Sequence, residues 1–157
     1  MKSFIVFSDV HGDYKAMQKL RPLICENDGA FFAGDGLSCV LQSNIEKLYW
    51  VAGNCDGYGD KELIVEIDGV KILLTHGHLY GVKSGLQRLF YRAKELDVNA
   101  VIFGHTHAPL ITLEDGVLFL NPGTCSSNAL KPTFIYMCIN DGKITPFLND
   151  STLSNSY

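Results

Sequence analysis

The sequence predicts an α/β domain in which mixed β-sheets are covered by helices on their outer faces. Three observations support this prediction: short apolar runs typical of buried strands, paired runs around Asp-Gly steps typical of hairpins, and two amphipathic helical segments. A chain of 157 residues has the length of one ordinary domain. We expect a single domain over residues 1–148 and a frayed tail over residues 149–157, which show no periodicity.

Buried parallel strands are predicted wherever the chain is almost continuously apolar. These runs are dense in β-branched, aromatic and aliphatic residues, and they span residues 4–7, 30–33, 48–52, 71–75 and 100–103. Strands of this composition lie inside a sheet that is covered on both faces. Five such runs in one short chain therefore predict sheets with helices packed against them.

Hairpins are predicted by Asp-Gly steps, because a type I′ turn requires positive φ at both central residues. Residues 62–67 and 70–74 flank Asp68-Gly69, and residues 111–113 and 117–120 flank Asp115-Gly116. A third pair, residues 133–139 and 144–147, flanks a turn that contains Asp141-Gly142. Antiparallel pairs therefore coexist with the parallel strands, which favours mixed sheets.

The first predicted helix spans residues 14–20. Asp13 is expected to cap it and Pro22 to lie near its end. A short third helix is expected at residues 43–47. The strands and helices therefore alternate along the first third of the chain.

The second predicted helix spans residues 82–96. Its apolar residues recur at steps of four, three, four and three: Val82, Leu86, Leu89, Ala93 and Leu96. Gly85 costs such a helix about 1 kcal/mol relative to Ala. We therefore expect its first turn to be its weakest part.

Composition excludes several classes of protein. A hydrophobic fraction of 46% excludes a disordered chain, and a net charge of −4 disfavours tight non-specific binding to nucleic acid. The apolar stretch at the start is too short for a signal peptide or a membrane span, so no membrane association is expected. The five cysteines are scattered and form no Cys-x-x-Cys pair, which indicates reduced thiols and a cytoplasmic protein.

Polar residues follow all five apolar runs. The loops are Ser8-Asp9-Val10-His11-Gly12-Asp13, Gly34-Asp35-Gly36, Gly53-Asn54-Cys55-Asp56, His76-Gly77-His78 and Gly104-His105-Thr106-His107. A single Asp or His at a strand end is usually a turn former or a helix cap. Five such loops, holding all five histidines of the chain, instead predict one site beyond the carboxyl ends of the strands.

The residue types in these loops suit two divalent cations. Seven candidate ligands are available: Asp9, His11, Asp35, Asn54, His76, His105 and His107. If Asp35 bridges two ions and each other residue binds one, each ion has four protein contacts and open positions for water and substrate. Imidazole-rich sites without thiolate ligands favour Mn²⁺, Fe, Co²⁺, Ni²⁺ or Zn²⁺ over Mg²⁺ or Ca²⁺.

The five loops, in this order, resemble the sequence blocks of the calcineurin-like metallophosphoesterases. The Gly-Asn-Cys-Asp block at residues 53–56 is similar to that of the small YfcE-type phosphodiesterases, and the Asn-Pro-Gly-Thr loop at residues 121–124 is similar to their Asn-Pro-Gly-Ser loop. The resemblance implies a four-layer α/β/β/α sandwich with two mixed β-sheets. It also implies two metal sites, of which one is formed by Asp9, His11, Asp35 and His107. The other is formed by Asp35, Asn54, His76 and His105.

The resemblance implies a metal-dependent phosphoesterase, most specifically a phosphodiesterase that hydrolyses a small phosphodiester by attack of a metal-bridging hydroxide. Mn²⁺ is the favoured cofactor. Expected catalytic residues are Asn54, Cys55 and Asp56. Cys55 stands where broader relatives carry a His that assists the leaving group, and no Arg follows this block as it does in relatives that bind monoesters. Both departures favour a diester.

Two alternatives to this activity remain at the level of sequence. One is a phosphomonoesterase. The other is a non-catalytic interaction scaffold, because a retromer subunit resembles these enzymes and fold alone does not decide function. Retention of all seven candidate ligands favours an enzyme, and the sequence leaves the oligomeric state open.

Overall fold

A computed structural model describes residues 1–150 of the chain. The strands in this part are β1 Lys2–Phe7, β2 Gly29–Phe32, β3 Leu48–Trp50, β4 Glu62–Ile67, β5 Val70–Thr75, β6 Ala100–Ile102, β7 Leu110–Glu114, β8 Val117–Asn121, β9 Thr133–Asn140 and β10 Lys143–Asp150. The α-helices are α1 Tyr14–Cys25, α2 Leu37–Leu41 and α3 Gln87–Leu96, with 3₁₀ turns at His78–Tyr80 and Val82–Ser84. None of the helices described here is long and apolar enough to cross a membrane.

The strands form two mixed five-stranded sheets. In sheet A the order is β10-β9-β1-β2-β3, with β1, β2 and β3 parallel and β9 antiparallel to both of its neighbours. In sheet B the order is β4-β5-β6-β8-β7, with β5, β6 and β8 parallel and an antiparallel strand at each edge. The carboxyl ends of the parallel strands in each sheet therefore share one edge, which is where the polar loops begin.

Side-chain alternation along the strands gives each sheet two buried faces. Phe4 and Val6 of β1 lie in the apolar core between the two sheets, whereas Ile5 and Phe7 pack with α1 and α2 on the outer face of sheet A. A third core, which includes Leu89 of α3, covers the outer face of sheet B. These layers confirm the predicted four-layer α/β/β/α sandwich with two mixed sheets.

The predicted hairpins are confirmed, and their turns have the expected backbone. Asp68 and Gly69 have φ of 46° and 82°, and Asp115 and Gly116 have φ of 45° and 81°. Strand β10 extends further than expected, because its last residues Asn149 and Asp150 pair with β9. The first two residues of the expected tail are thus in the sheet, and residues 151–157 lie outside the described part of the chain.

The helix predictions are only partly correct. Asp13 caps α1 as expected, accepting hydrogen bonds from two backbone amides, but α1 continues past Pro22 to Cys25. The continuation keeps Ile24, 2% exposed, in the core on the outer face of sheet A. Burial of that side chain offsets the missing N–H of the proline.

The predicted helix at residues 43–47 is wrong, because Asn44 takes a left-handed φ of 52° that no α-helix contains. The helical turn in this region is instead α2, which comes directly after Gly36. The predicted helix over residues 82–96 begins as α-helix only at Gln87. Gly85, with φ of 135° and ψ of 172°, separates the preceding 3₁₀ turn from α3.

Candidate metal centre

The loops after β1, β2, β5 and β6 bring the predicted ligands together. Most of these ligands have a left-handed backbone, which non-glycine residues rarely adopt: Asp9, His11, Asp35, His105 and His107 have φ of 56°, 50°, 68°, 71° and 62°. Sparsely populated backbone conformations concentrate at functional sites, where the surrounding structure holds them in place. Of the ten described non-glycine residues with positive φ, five are thus predicted ligands, and the other five lie in turns, loops or helix caps.

The first cluster combines Asp9, His11 and His107, which offer ligand atoms within 4.8 Å of one another. Oδ1 of Asp9 lies 3.2 Å from Nε2 of His107 and 3.6 Å from Nε2 of His11. The two imidazole nitrogens are 3.2 Å apart. Asp9 is fully buried, whereas both histidines are exposed, so this cluster opens to solvent.

The second cluster combines Asp35, His76 and His105. Oδ2 of Asp35 lies 3.2 Å from Nε2 of His76, and Nδ1 of His105 lies 3.2 Å from the same nitrogen. Oδ2 of Asp35 is also 4.0 Å from Nε2 of His11 in the first cluster. Asp35 therefore faces both groups of ligands.

His76 is oriented by the backbone of the opposite sheet. Its Nδ1 lies 2.7 Å from the carbonyl oxygen of Ala33, which can accept a hydrogen bond only from a protonated nitrogen. The neutral ring then carries its lone pair on Nε2, the nitrogen that faces Asp35 and His105. Hydrogen bonds of this kind fix the tautomer of metal-binding histidines in proteins.

The buried charges shift the pKa values of the second cluster. Burial raises the pKa of Asp35, but the hydrogen bond with His76, the amide of Cys55 and the charges of His76 and His11 together bring it well below its usual range. Burial lowers the pKa of His76, and the contacts with Asp35 and Asp9 outweigh this effect and raise it. Burial and the charge of His76 lower the pKa of His105. The cluster thus stabilises ionised carboxylates beside imidazoles.

One buried atom shows that the donor set fits a cation. Among the described residues, Oδ1 of Asp9 is buried without any hydrogen-bond partner, although its Oδ2 accepts from Ser8 Oγ and from the amide of His105. A buried carboxylate oxygen without a partner costs several kcal/mol, of the order of an unpaired charge. That oxygen faces Nε2 of His11, His76 and His107. A divalent cation would satisfy it, and the neutral imidazoles supply further ligands.

The Gly-Asn-Cys-Asp block contributes in three different ways. Asp56 accepts four backbone hydrogen bonds of 2.8 to 3.0 Å, from the amides of residues 35, 36, 37 and 53, which occupy both carboxylate oxygens. The amide of Cys55 donates to Oδ1 of Asp35, at 2.9 Å, and its Sγ shares a third cluster with His11 and Asp35. Asn54 is exposed, with its amide nitrogen 3.6 Å from Cys55 Sγ. Burial, together with the charge of Asp35, raises the pKa of Cys55.

Three supporting residues lie within the motifs, but the sequence pattern assigns none of them a role. Ser8 Oγ donates to Asp9 Oδ2 at 2.6 Å, and Thr124 Oγ1 donates to the carbonyl of Asp9 at 2.7 Å. Asn121 donates to the carbonyl of Gly104 at 3.3 Å and so holds the loop that carries His105. Ser8 precedes Asp9 in the first polar loop, and this adjacency is the only signal of its role in the sequence.

Two further polar side chains, His78 and Arg92, lie outside the clusters. The ring of His78 is 5.5 Å from that of His76, and its Nδ1 is buried without a hydrogen-bond partner in the described part of the chain. Arg92 forms ion pairs with Glu62 and Glu95. It therefore stabilises the contact of α3 with β4 and does not face the clusters.

Comparison with known proteins identifies the family of the chain. The family model described as the calcineurin-like phosphoesterase superfamily domain matches residues 1–142. A Bacillus subtilis protein named "Probable metallophosphoesterase YsnB" is 32% identical over 153 residues, covering 94% of this chain and 90% of its own. The Escherichia coli protein named "Phosphodiesterase YfcE" is 25% identical over 184 residues, covering 98% of this chain and 96% of its own. A crystal structure of a Streptococcus pneumoniae predicted phosphoesterase superposes with a TM-score of 0.82 at 29% identity, covering 96% and 90%.

Proposed function

This chain belongs to the calcineurin-like phosphoesterase superfamily, and from that premise we propose that it is a metal-dependent phosphoric ester hydrolase that cleaves small phosphodiesters. The observation that carries the proposal is the unpartnered Oδ1 of Asp9, buried among three imidazole nitrogens. Names of the relatives point the same way, since the YfcE protein is named a phosphodiesterase.

Two divalent cations, with Mn²⁺ favoured over Ni²⁺, Co²⁺, Fe or Zn²⁺, are the proposed cofactors. One would be held by Asp9, His11, Asp35 and His107, and the other by Asp35, Asn54, His76 and His105. Six of these seven side chains lie in the two clusters described above, and Asn54 lies in the adjoining loop. The shared position of Asp35 supports its assignment as the bridge, because its Oδ2 approaches histidines of both clusters.

When bound, such cations supply Lewis acidity that activates water as a nucleophile at neutral pH and neutralises charge on a phosphate. The protein contributes preorganisation. Ala33 fixes the ring of His76, Ser8 fixes one oxygen of Asp9, and the amide of Cys55 fixes one oxygen of Asp35. Each remaining carboxylate oxygen then faces the imidazoles.

We assign a different role to each of the three residues expected to be catalytic. Asn54 is proposed as a metal ligand, and Cys55 lines the approach to the centre, where its thiol lies within 4.8 Å of ligand atoms of His11 and Asp35. Asp56 is proposed as a positioning residue. Both of its carboxylate oxygens accept hydrogen bonds from backbone amides, four in all. These hydrogen bonds hold the loop that carries Asp35.

We propose that residues 1–150, two more than the boundary expected from the sequence, act as one domain, because sheet A supplies Asp9 and Asp35 while sheet B supplies His76 and His105. The two sheets must therefore stay packed for the centre to exist.

The five free cysteines support a reducing, cytoplasmic location. An acidic chain of net charge −4 attracts an anionic substrate through bound cations, and tight non-specific binding to nucleic acid is not expected.

The test is a hydrolysis panel of an aryl phosphodiester, cyclic nucleotides and aryl and alkyl monoesters. Protein stripped of metal with a chelator is assayed alone and after addition of each candidate metal. Metal-restored hydrolysis with diesters preferred supports the proposal, whereas preference for monoesters supports the phosphomonoesterase alternative. A protein that binds no metal and hydrolyses nothing, yet captures a stoichiometric protein partner, supports the scaffold alternative.

A further inference from the structure

A groove adjoins the metal centre on the side of sheet A. It has a volume of about 360 Å³, which lies in the range of small-molecule pockets. Its lining includes the candidate ligand His11, the thiol of Cys55, and Tyr14 and Ser38 at the starts of α1 and α2. A phosphate group at the metal centre would therefore have this groove directly beside it.

Tyr14 forms a braced aromatic wall of the groove. It is 56% exposed, so its ring is not a core side chain. Its hydroxyl nevertheless donates a hydrogen bond of 3.0 Å to Oε1 of Gln42, and Nε2 of Gln42 donates to Ser38 Oγ at 3.4 Å. The brace links the first turn of α1 to the end of α2 and restrains the ring of Tyr14, which lines the groove. An exposed aromatic ring held in this way is suited to stack on a planar ligand group.

Among the residues that the structure describes, the groove offers no Lys or Arg side chain to pair with an anion. The one carboxylate in its lining, Asp56, has both oxygens occupied by backbone amides. The lysine side chains near the centre lie on the side of sheet B instead. Lys61 lies close enough to His78, and Lys83 to His105, for their charges to interact. The two sides of the centre are thus electrostatically different.

We propose that this groove is the subsite for an uncharged, planar substituent of the substrate ester, stacked on Tyr14. The inference rests on the proposed phosphodiesterase function and deepens it, because it names the chemical class of one ester group. An aryl or other flat neutral group is favoured there. A substituent that carries its own negative charge is disfavoured, since the groove would desolvate it without a compensating cation.

Two phosphinates test the subsite without any turnover. Phenyl(methyl)phosphinate and dimethylphosphinate each carry one negative charge, and their P–C bonds are not hydrolysed. Their Kd values for the Mn²⁺-loaded protein are measured by isothermal titration calorimetry. We expect the phenyl compound to bind roughly tenfold more tightly, the size of a well-formed aromatic contact with its buried area. A 4-carboxyphenyl analogue should lose most of this preference.

Variants assign the preference to Tyr14. In Tyr14→Ala the ratio of the two Kd values should fall to about two or less, whereas Tyr14→Phe should retain most of it. Gln42→Ala removes only the brace and should give an intermediate ratio. Tyr91→Ala, which removes an equally exposed tyrosine on α3, should leave the ratio unchanged.

The outcomes separate the two proposals. Equal Kd values for both phosphinates in the wild type, or an unchanged ratio in Tyr14→Ala, would overturn the subsite while the phosphodiesterase proposal stands. If neither phosphinate binds the metal-loaded protein, the subsite proposal is wrong, and the hydrolysis panel alone decides the phosphodiesterase proposal.

Discussion

The backbone N–H of Asp35 donates a hydrogen bond of 2.8 Å to the carboxylate of Asp56, so an acid that follows β3 fixes the acid that follows β2. The same carboxylate accepts from the amides of Gly36, Leu37 and Gly53. Two loops from neighbouring strands are thereby tied to one side chain. Burial raises the pKa of Asp56, but these amides outweigh it and hold the pKa below its usual range.

Asp56→Asn is expected to damage the metal centre without removing a ligand. An amide NH₂ would face two backbone donors, and leaving them unpaired lowers the free energy of unfolding of the metal-free protein by about 2 kcal/mol. Loss of a hydrogen bond that holds a metal-binding loop typically weakens metal binding about 10- to 100-fold. Denaturant unfolding and Mn²⁺ titration measure the two effects.

The matched control for this variant is Asp115→Asn, in the turn between β7 and β8. Its carboxylate is 81% exposed and lies beside Lys94, in a hairpin turn outside the metal-binding loops. We expect a change within about 0.5 kcal/mol and an unchanged affinity for Mn²⁺. Equal effects in the two variants would show that Asp56 has no special role in positioning the loops.

Gly53→Ala is expected to displace Asp35. A Cβ at residue 53 would overlap Oδ1 of Asp35 and lie 2.6 Å from its backbone nitrogen, closer than any relaxed contact. We predict at least a tenfold loss of Mn²⁺ affinity. Gly57→Ala, in the same loop, meets no atom within 4 Å and should bind Mn²⁺ like the wild type. Normal affinity in Gly53→Ala would mean that the loop relaxes without moving the carboxylate.

Metal content distinguishes a bridging ligand from a terminal one. We expect two metal ions per chain in the wild type, about one in His107→Ala, and less than one in Asp35→Ala, because only Asp35 faces both clusters. Elemental analysis after dialysis against Mn²⁺ gives these numbers. Two bound ions in Asp35→Ala, or a greater loss in His107→Ala, would assign the bridge to another residue.

Features encoded by neighbouring residues were predictable from the sequence. The Asp-Gly turns, the ligand-bearing loops and four of the five buried strands each depend on a short segment, and the structure has them. The fifth predicted strand, at residues 48–52, is instead β3, a half-buried strand at the edge of sheet A. The helix over residues 37–41 was missed because five residues are too few to show a 3.6-residue period. The start of α3 at Gln87 was misplaced because the apolar pattern continues through Gly85, whose backbone is not helical.

Other features depend on contacts between distant segments. The role of Asp56 as an acceptor for amides of two loops is invisible in the sequence, where it reads as one more acid in a polar loop. The brace from Tyr14 to Gln42 joins residues 28 positions apart. Such contacts are set by how the helices pack on sheet A, which residue spacing does not encode.

Cys55→His is expected to change how the rate depends on the leaving group. The thiol lies within 4.8 Å of ligand atoms of His11 and Asp35, so an imidazole at this position would reach the same region. A protonated imidazole, with a reference pKa of about 6.5, donates a proton near neutral pH, whereas a thiol of about 8.5 is a weaker acid. The variant should therefore accelerate esters of poor leaving groups more than aryl esters, which depart without a proton. The measurement is the slope of log kcat against leaving-group pKa, which should be shallower in Cys55→His than in the wild type.

Cys55→Ser, which adds no acid of suitable pKa, is the control and should keep the steep slope. Equal slopes in all three proteins would show that no group at residue 55 transfers a proton to the leaving group, and would restrict Cys55 to lining the groove.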